Sequence, residues 1–73
     1  EQMDADKKRA LLGSAIRERR EAQGLSQQKL ALMVGSSKSH IWRIETGRVS
    51  VGLDDLGRIA DALDARVRDL ILF

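Results

Sequence analysis

Lys38, Ser39, Trp42, Arg43 and Thr46 follow one another at alternating steps of one and three residues. In an α-helix each residue advances by about 100°, so this spacing gathers all five on one side. Ile41 and Ile44 define the opposite side as the buried one. The free side then offers two cations, two hydroxyls and one large apolar ring. Arg and Lys donate to guanine O6 and N7, Ser and Thr suit several base edges, and an apolar group can press on a thymine methyl. A helix also fits a major groove about 12 Å wide. Trp42 has a second reading, in which its ring folds over neighbouring surface as a partial core residue. The chain has only one other aromatic, Phe73, and a small core could use the area.

Other chemistries find less to work with. Gly35-Ser36-Ser37-Lys38-Ser39 has a superficial likeness to a phosphate-binding loop but lacks the glycine before the lysine, and no strand precedes it. Asp54 and Asp55 are adjacent on a helix and point in different directions; their ordinary role is to favour the helix N-terminus through its dipole. His40 falls on a flank without an evident base or metal partner. With one histidine and no cysteine, neither disulfides nor a thiolate or multi-histidine metal site is expected. We expect no enzyme, cofactor or metal.

Seventy-three residues allow one domain, and a chain this short buries only roughly 60% of its unfolded surface. The net charge of +2 hides an uneven distribution. Residues 25–48 carry Lys29, Lys38, Arg43 and Arg48 against Glu45 alone, whereas residues 49–73 carry more acids than bases. The middle third is therefore the part suited to a polyanion. Lys7, Lys8, Arg9 and Arg17 could suggest a basic helix on a membrane surface, but acids are interspersed among them. No apolar run reaches the ~18 residues of a membrane span. A start at Met3, no signal peptide and a cytoplasmic, nucleoid-associated protein are the expectation.

The elements that must position these groups are helical. There is no proline, and glycines punctuate segments of helical periodicity. A first helix is expected from about Asp6 to Gln23, stopped by Gly24. A second follows over about Gln27 to Val34, capped by Ser26 and stopped by Gly35. A third is capped by Ser36 or Ser37, runs to about Thr46 and is stopped by Gly47. The fourth covers about Leu53 to Leu63, with Leu53, Leu56, Ile59, Ala60 and Leu63 facing inward. A last helix covers about Val67 to Leu72. Two eight-residue helices joined around a glycine outline a helix-turn-helix.

Taken in order, Leu12-Gly13, Ile16-Arg17, Arg20, Gly24-Leu25-Ser26-Gln27, Leu30-Ala31, Gly35-Ser36-Ser37, Ile41, Arg43-Ile44-Glu45 and Gly47-Arg48, then Leu53, Leu56, Ile59-Ala60, Ala62-Leu63 and Leu70, resemble the Cro/cI-type family, also called XRE-type or lambda-repressor-like. The resemblance spans nearly the whole chain, from about Leu12 to Phe73. It implies an all-α, compact five-helix lambda-repressor-like domain over residues 1–73. Within it, 1–9 are an N-terminal extension, 26–46 the helix-turn-helix and 53–73 the C-terminal, dimerising helices. It implies that Ser37, Lys38, Ser39, Trp42 and Arg43 face bases, that Gln27 and Arg48 meet phosphates, with Gln27 also a candidate brace for the third helix, and that Arg20 and Glu45 form a structural ion pair. Arg19, Ser36 and Gly52 depart from the family's usual leucine, valine and serine or threonine. Leu32 and Met33 replace common polar residues, and either form an exposed apolar patch or pack on the N-terminal extension.

The implied function is a sequence-specific regulator of double-stranded DNA. We expect a repressor, working as a homodimer on an inverted-repeat operator. Val67, Leu70, Ile71 and Phe73 are the expected dimer interface. The alternatives are an interaction module, such as the DNA-binding antitoxin of a toxin–antitoxin pair, or a restriction–modification controller. A toxin or a polymerase would then be a protein partner.

Overall fold

The computed structural model describes residues 3–73, and its five helices pack around one core. α1 spans Ala5–Ala22, α2 Gln27–Val34, α3 Lys38–Glu45, α4 Leu53–Ala62 and α5 Val67–Leu70. Short polar side chains start the first three. Asp4 accepts from the Lys7 amide at 2.8 Å, Ser26 from Lys29 at 3.0 Å and Ser37 from His40 at 3.1 Å, each satisfying a donor the helix leaves unpaired. Gly52, before α4, supplies no side-chain cap, so that helix relies on Asp54 and Asp55 in its first turn.

The helices also end alike. After α1, α3 and α4 one residue turns left-handed, and the two amides around it bond back into the last turn. Gly24 and Gly47 take that position after α1 and α3, while Asp64 takes it after α4 with φ 54°. The ladder is cut cleanly each time, so the next segment leaves at a steep angle. Leu25 then packs against the core.

Ile16, Leu30, Ile41, Ile59, Leu63 and Leu70 are the large side chains wholly inside. They come from all five helices, so no helix buries its apolar face alone. α1 rests on the C-terminal end of α3, and the contact is backbone against backbone. A Cβ on Gly13 would lie 2.4 Å from the Ile44 carbonyl oxygen and 2.6 Å from that of Glu45. One turn earlier, Ala10 meets Gly47, where a Cβ would fall 2.9 Å from the Ala10 Cα. Small residues on one side of α1 thus let the end of α3 seat directly on the helix.

Several expectations need correction. Residues 5–9 are not an extension but the opening turns of α1, because Asp4 caps the helix ahead of Asp6; Glu1 and Gln2 of that expected extension lie outside the described residues. Leu53 is 77% exposed rather than inward, and Leu56 is the residue of the first turn of α4 that enters the core. The last helix is a single turn ending at Leu70, and Leu72 is exposed. Leu70, expected on the dimer interface, is instead fully buried in the chain's own core. Leu32 and Met33 are exposed, so α1 does not cover them.

Gly13→Ala improves intrinsic helix propensity by about 1 kcal/mol, yet its new methyl meets two carbonyls. Overpacking of this kind costs about 1–3 kcal/mol. Urea unfolding should therefore find the variant less stable than the parent; equal or greater stability would mean that α1 and α3 can separate freely.

Candidate nucleic-acid interface

α3 presents its two sides as its periodicity demands. Ile41, Ile44 and Glu45 are buried, while Ser37, Lys38, Ser39, Trp42, Arg43 and Thr46 are exposed. The five residues expected to face bases therefore share one outward surface. Their polar atoms are partly engaged already. The Ser37 hydroxyl caps α3, Arg43 donates to Ser39 Oγ at 3.0 Å, and Thr46 Oγ1 donates to the Trp42 carbonyl at 2.8 Å. The Arg43–Ser39 bond spans one turn and holds the guanidinium along the helix.

Behind this surface lies the polar knot that fixes its angle. Arg20, from the last turn of α1, donates through Nε to Glu45 Oε2 at 2.6 Å and through Nη2 to Oε1 at 3.0 Å. Its remaining Nη1 donates to the Leu25 carbonyl at 2.7 Å. Gln27, the first residue of α2, donates to Glu45 Oε1 at 3.0 Å. The Glu45 side chain is 1% exposed and that of Arg20 9%. A carboxylate so far from water must be paired, and here it accepts three hydrogen bonds, two from the planar guanidinium fork. The Glu45 hydrogen bonds outweigh burial and raise the Arg20 pKa above its ordinary value. A cation stabilised in this way contributes fully below its unfolded pKa and is lost only as pH rises through the folded one. On the arginine side, the pair therefore stays intact across neutral and moderately alkaline pH.

Gln27 is thus a brace on α3, and the rest of its side-chain capacity stays open. Arg17, Ser26, Gln28, Lys38, Trp42 and Thr46 line the same cleft between α1, α2 and α3. Arg17 and Gln28 are additions to the expected set. Arg17 precedes Arg20 by one turn and so shares its face of α1, a signal present in the spacing; it pairs loosely with Glu21 at 3.3 Å. Arg48 lies past the end of α3, its guanidinium carbon 4.7 Å from the centre of the Trp42 ring. Trp42 is 45% exposed, so the ring is neither in the core nor fully free. His40 faces elsewhere, into a groove with Val34, Asp55 and Arg58. Val67 and Ile71 are partly buried against the core, and Phe73 is 47% exposed.

Among the described residues, no helix is long and apolar enough to cross a membrane. Removing one member of a buried ion pair costs about 3–5 kcal/mol, because the other stays charged and unpaired. Arg20→Ala should accordingly lose most of its folded signal in a thermal melt followed by circular dichroism. A melt within a few degrees of the parent would show that water reaches Glu45 and that the knot is ornamental.

Residues 11–71 match the helix-turn-helix domain family. An uncharacterised HTH-type transcriptional regulator, y4dL of Sinorhizobium fredii, is 42% identical over 52 residues; the match takes in 71% of this chain and 26% of that protein. Among solved structures, the restriction-modification controller protein C.AhdI from Aeromonas hydrophila superposes with a TM-score of 0.88 at 35% identity, over 93% of this chain and 99% of that one. The clp gene regulator ClgR from Corynebacterium glutamicum gives 0.85 at 31% identity, over 88% of this chain and 68% of that one. The chain belongs to the Cro/cI-type helix-turn-helix domain family, with its lambda-repressor-like five-helix fold.

Proposed function

We propose that this chain is a sequence-specific, double-stranded-DNA-binding repressor module that acts by binding alone, in the cytoplasm on the nucleoid. α3 enters the major groove. Lys38, Ser39, Trp42 and Arg43 meet base edges, and Ser37 meets the groove wall with the hydroxyl proton its capping role leaves unused. Arg17 and the open end of Gln27 face the backbone. The observation that carries this reading is the exposed, cation- and hydroxyl-bearing side of α3, set at a fixed angle by the Arg20–Glu45–Gln27 knot. Side chains held in this way lose little freedom on docking.

We further propose a symmetric homodimer. Leu72 and Phe73, with the partly buried Val67 and Ile71, form one apolar end of the chain, and a second copy would cover it. Two recognition helices would then meet half-sites about one turn, roughly 34 Å, apart on an inverted repeat. The likeness to nearly the whole of C.AhdI favours a restriction–modification controller as the circuit over an antitoxin.

Selection from a random duplex pool should recover an inverted repeat. On that duplex, Arg43→Ala should cost about 1–3 kcal/mol and relax selectivity at one base pair. Arg17→Ala should weaken all sequences alike and flatten the log–log salt dependence by about 0.9. Equal losses for Arg43→Ala on selected and scrambled DNA would move that residue to the backbone class, and a pool that yields no enriched duplex would refute the reading.

Sedimentation equilibrium of the free protein at micromolar concentration should report a dimer, and Phe73→Asp should shift it toward monomer. A monomer both free and on DNA would overturn the dimer.

A further inference from the structure

The family resemblance implies a phosphate contact for Arg48 and a base contact for Trp42, as two separate contacts. The structure joins them. α3 ends with Thr46 as its last half-helical residue and Gly47 turned left-handed at φ 74°. The Gly47 amide bonds to the Ile44 carbonyl at 3.1 Å and the Arg48 amide to the Arg43 carbonyl at 2.9 Å. In this type of helix end the residue after the left-handed one commonly lays an apolar side chain back over the last turn. Here that residue is Arg48, and what it lies on is Trp42, with the guanidinium 4.7 Å from the ring centre. Gly47 also packs against α1, closely enough that a methyl there would fall 2.9 Å from the Ala10 Cα. Thr46 ties the Trp42 carbonyl from the same turn. The residue between the helix and Arg48 is thus packed on α1 as well as bonded to α3.

We propose that Arg48 is a positioning residue for Trp42, and that the stacked pair is one reading unit whose indole recognises the C5-methyl group of a pyrimidine in the major groove. This deepens the DNA-binding reading and rests on it. An unsupported indole would lie down over apolar surface or rotate among rotamers. A guanidinium on one face holds the ring upright by cation–π attraction and is itself weakly hydrated, so little water must be stripped on docking. Apart from its single Nε1–H donor, the indole is an apolar surface, and Trp42 is 45% exposed. The major-groove feature that suits such a surface is the methyl group that distinguishes thymine from cytosine. The same methyl occurs on 5-methylcytosine.

Trp42 is the sole tryptophan, so its fluorescence reports on the stack directly. In the free protein, Arg48→Ala and Arg48→Lys should both make the indole more accessible to acrylamide, because lysine keeps the charge but loses the planar stack. On the duplex recovered by selection, replacing one thymine of each half-site by deoxyuridine removes only the methyl. At the right position the parent should lose affinity about fourfold per half-site, as burial of one methyl group implies. Trp42→Ala and Arg48→Lys should each bring the thymine and deoxyuridine duplexes to equal affinity. A parallel series with cytosine exchanged for 5-methylcytosine separates the two sources of the methyl. Loss with deoxyuridine alone assigns thymine, and a gain with 5-methylcytosine assigns a methylated site. Unchanged quenching in both Arg48 variants, or an undiminished thymine-to-deoxyuridine ratio in Arg48→Lys, would overturn the inference and return Arg48 to the backbone, with the DNA reading intact. A protein that enriches no duplex would sink both together, even where quenching confirms the stack.

Discussion

Glu45 closes α3 with its carboxylate almost wholly out of water, and the other helices around the turn are arranged to make that tolerable. Arg20 arrives from α1 with a two-pronged guanidinium, Gln27 from α2 with an amide, and the third guanidinium nitrogen takes up the Leu25 carbonyl at the bend between those helices. Each partner comes from a different element, so the pair is less a bond between two residues than a joint among three helices. Hydrophobic contacts are tolerant of small slides; a bidentate ion pair is not. Burying these charges adds little net stability relative to an apolar core, and its return is orientation. The backbone contact of Gly13 with the end of α3 works to the same effect, since it fixes how near α1 lies while the ion pair fixes the rotation.

That joint explains why α3 can be amphipathic in an unusual sense. Its inner side is held by Ile41, Ile44 and a buried acid, so the outer side owes nothing to packing. Lys38, Ser39, Trp42 and Arg43 are left exposed on it. The short polar bonds among them, Arg43 to Ser39 and Thr46 to the Trp42 carbonyl, restrict side chains that would otherwise sample many rotamers. For a small domain this matters, because a short helix offers few contacts and cannot spend many of them on ordering.

Much of the architecture was legible in the residues because its signals are local. Serine caps, left-handed stops and the 3.6-residue period are each decided within one turn, and they placed α2 and the start of α3 closely. The outward side of α3 followed from Ile41 and Ile44 alone. What failed was anything that depends on what covers a helix end. Leu53 carries the right period to be inside but lies exposed while Leu56 enters the core, and Leu70 was given to a dimer surface although one turn of helix suffices to sink it into its own core. The Arg20–Glu45 pair came from family resemblance and not from spacing, since 25 residues separate the partners. Gln27 was seen as a brace only through the same resemblance. The stack of Arg48 on Trp42 lies beyond the last helical residue, where a helical wheel no longer applies.

Among the described residues Asp64 is the left-handed helix stop that is not glycine, a conformation aspartate adopts less readily than glycine does, and it also places a negative charge beside the carbonyl end of α4. Both effects weaken the link between α4 and the final turn that carries Leu70. What holds that C-terminal corner is the burial of Leu63 and Leu70 and the hydrogen bond from Gln23 at the α1 end to the Leu63 carbonyl. Amide exchange would then be graded along the chain, fastest around the turn from Asp64 to the final helix.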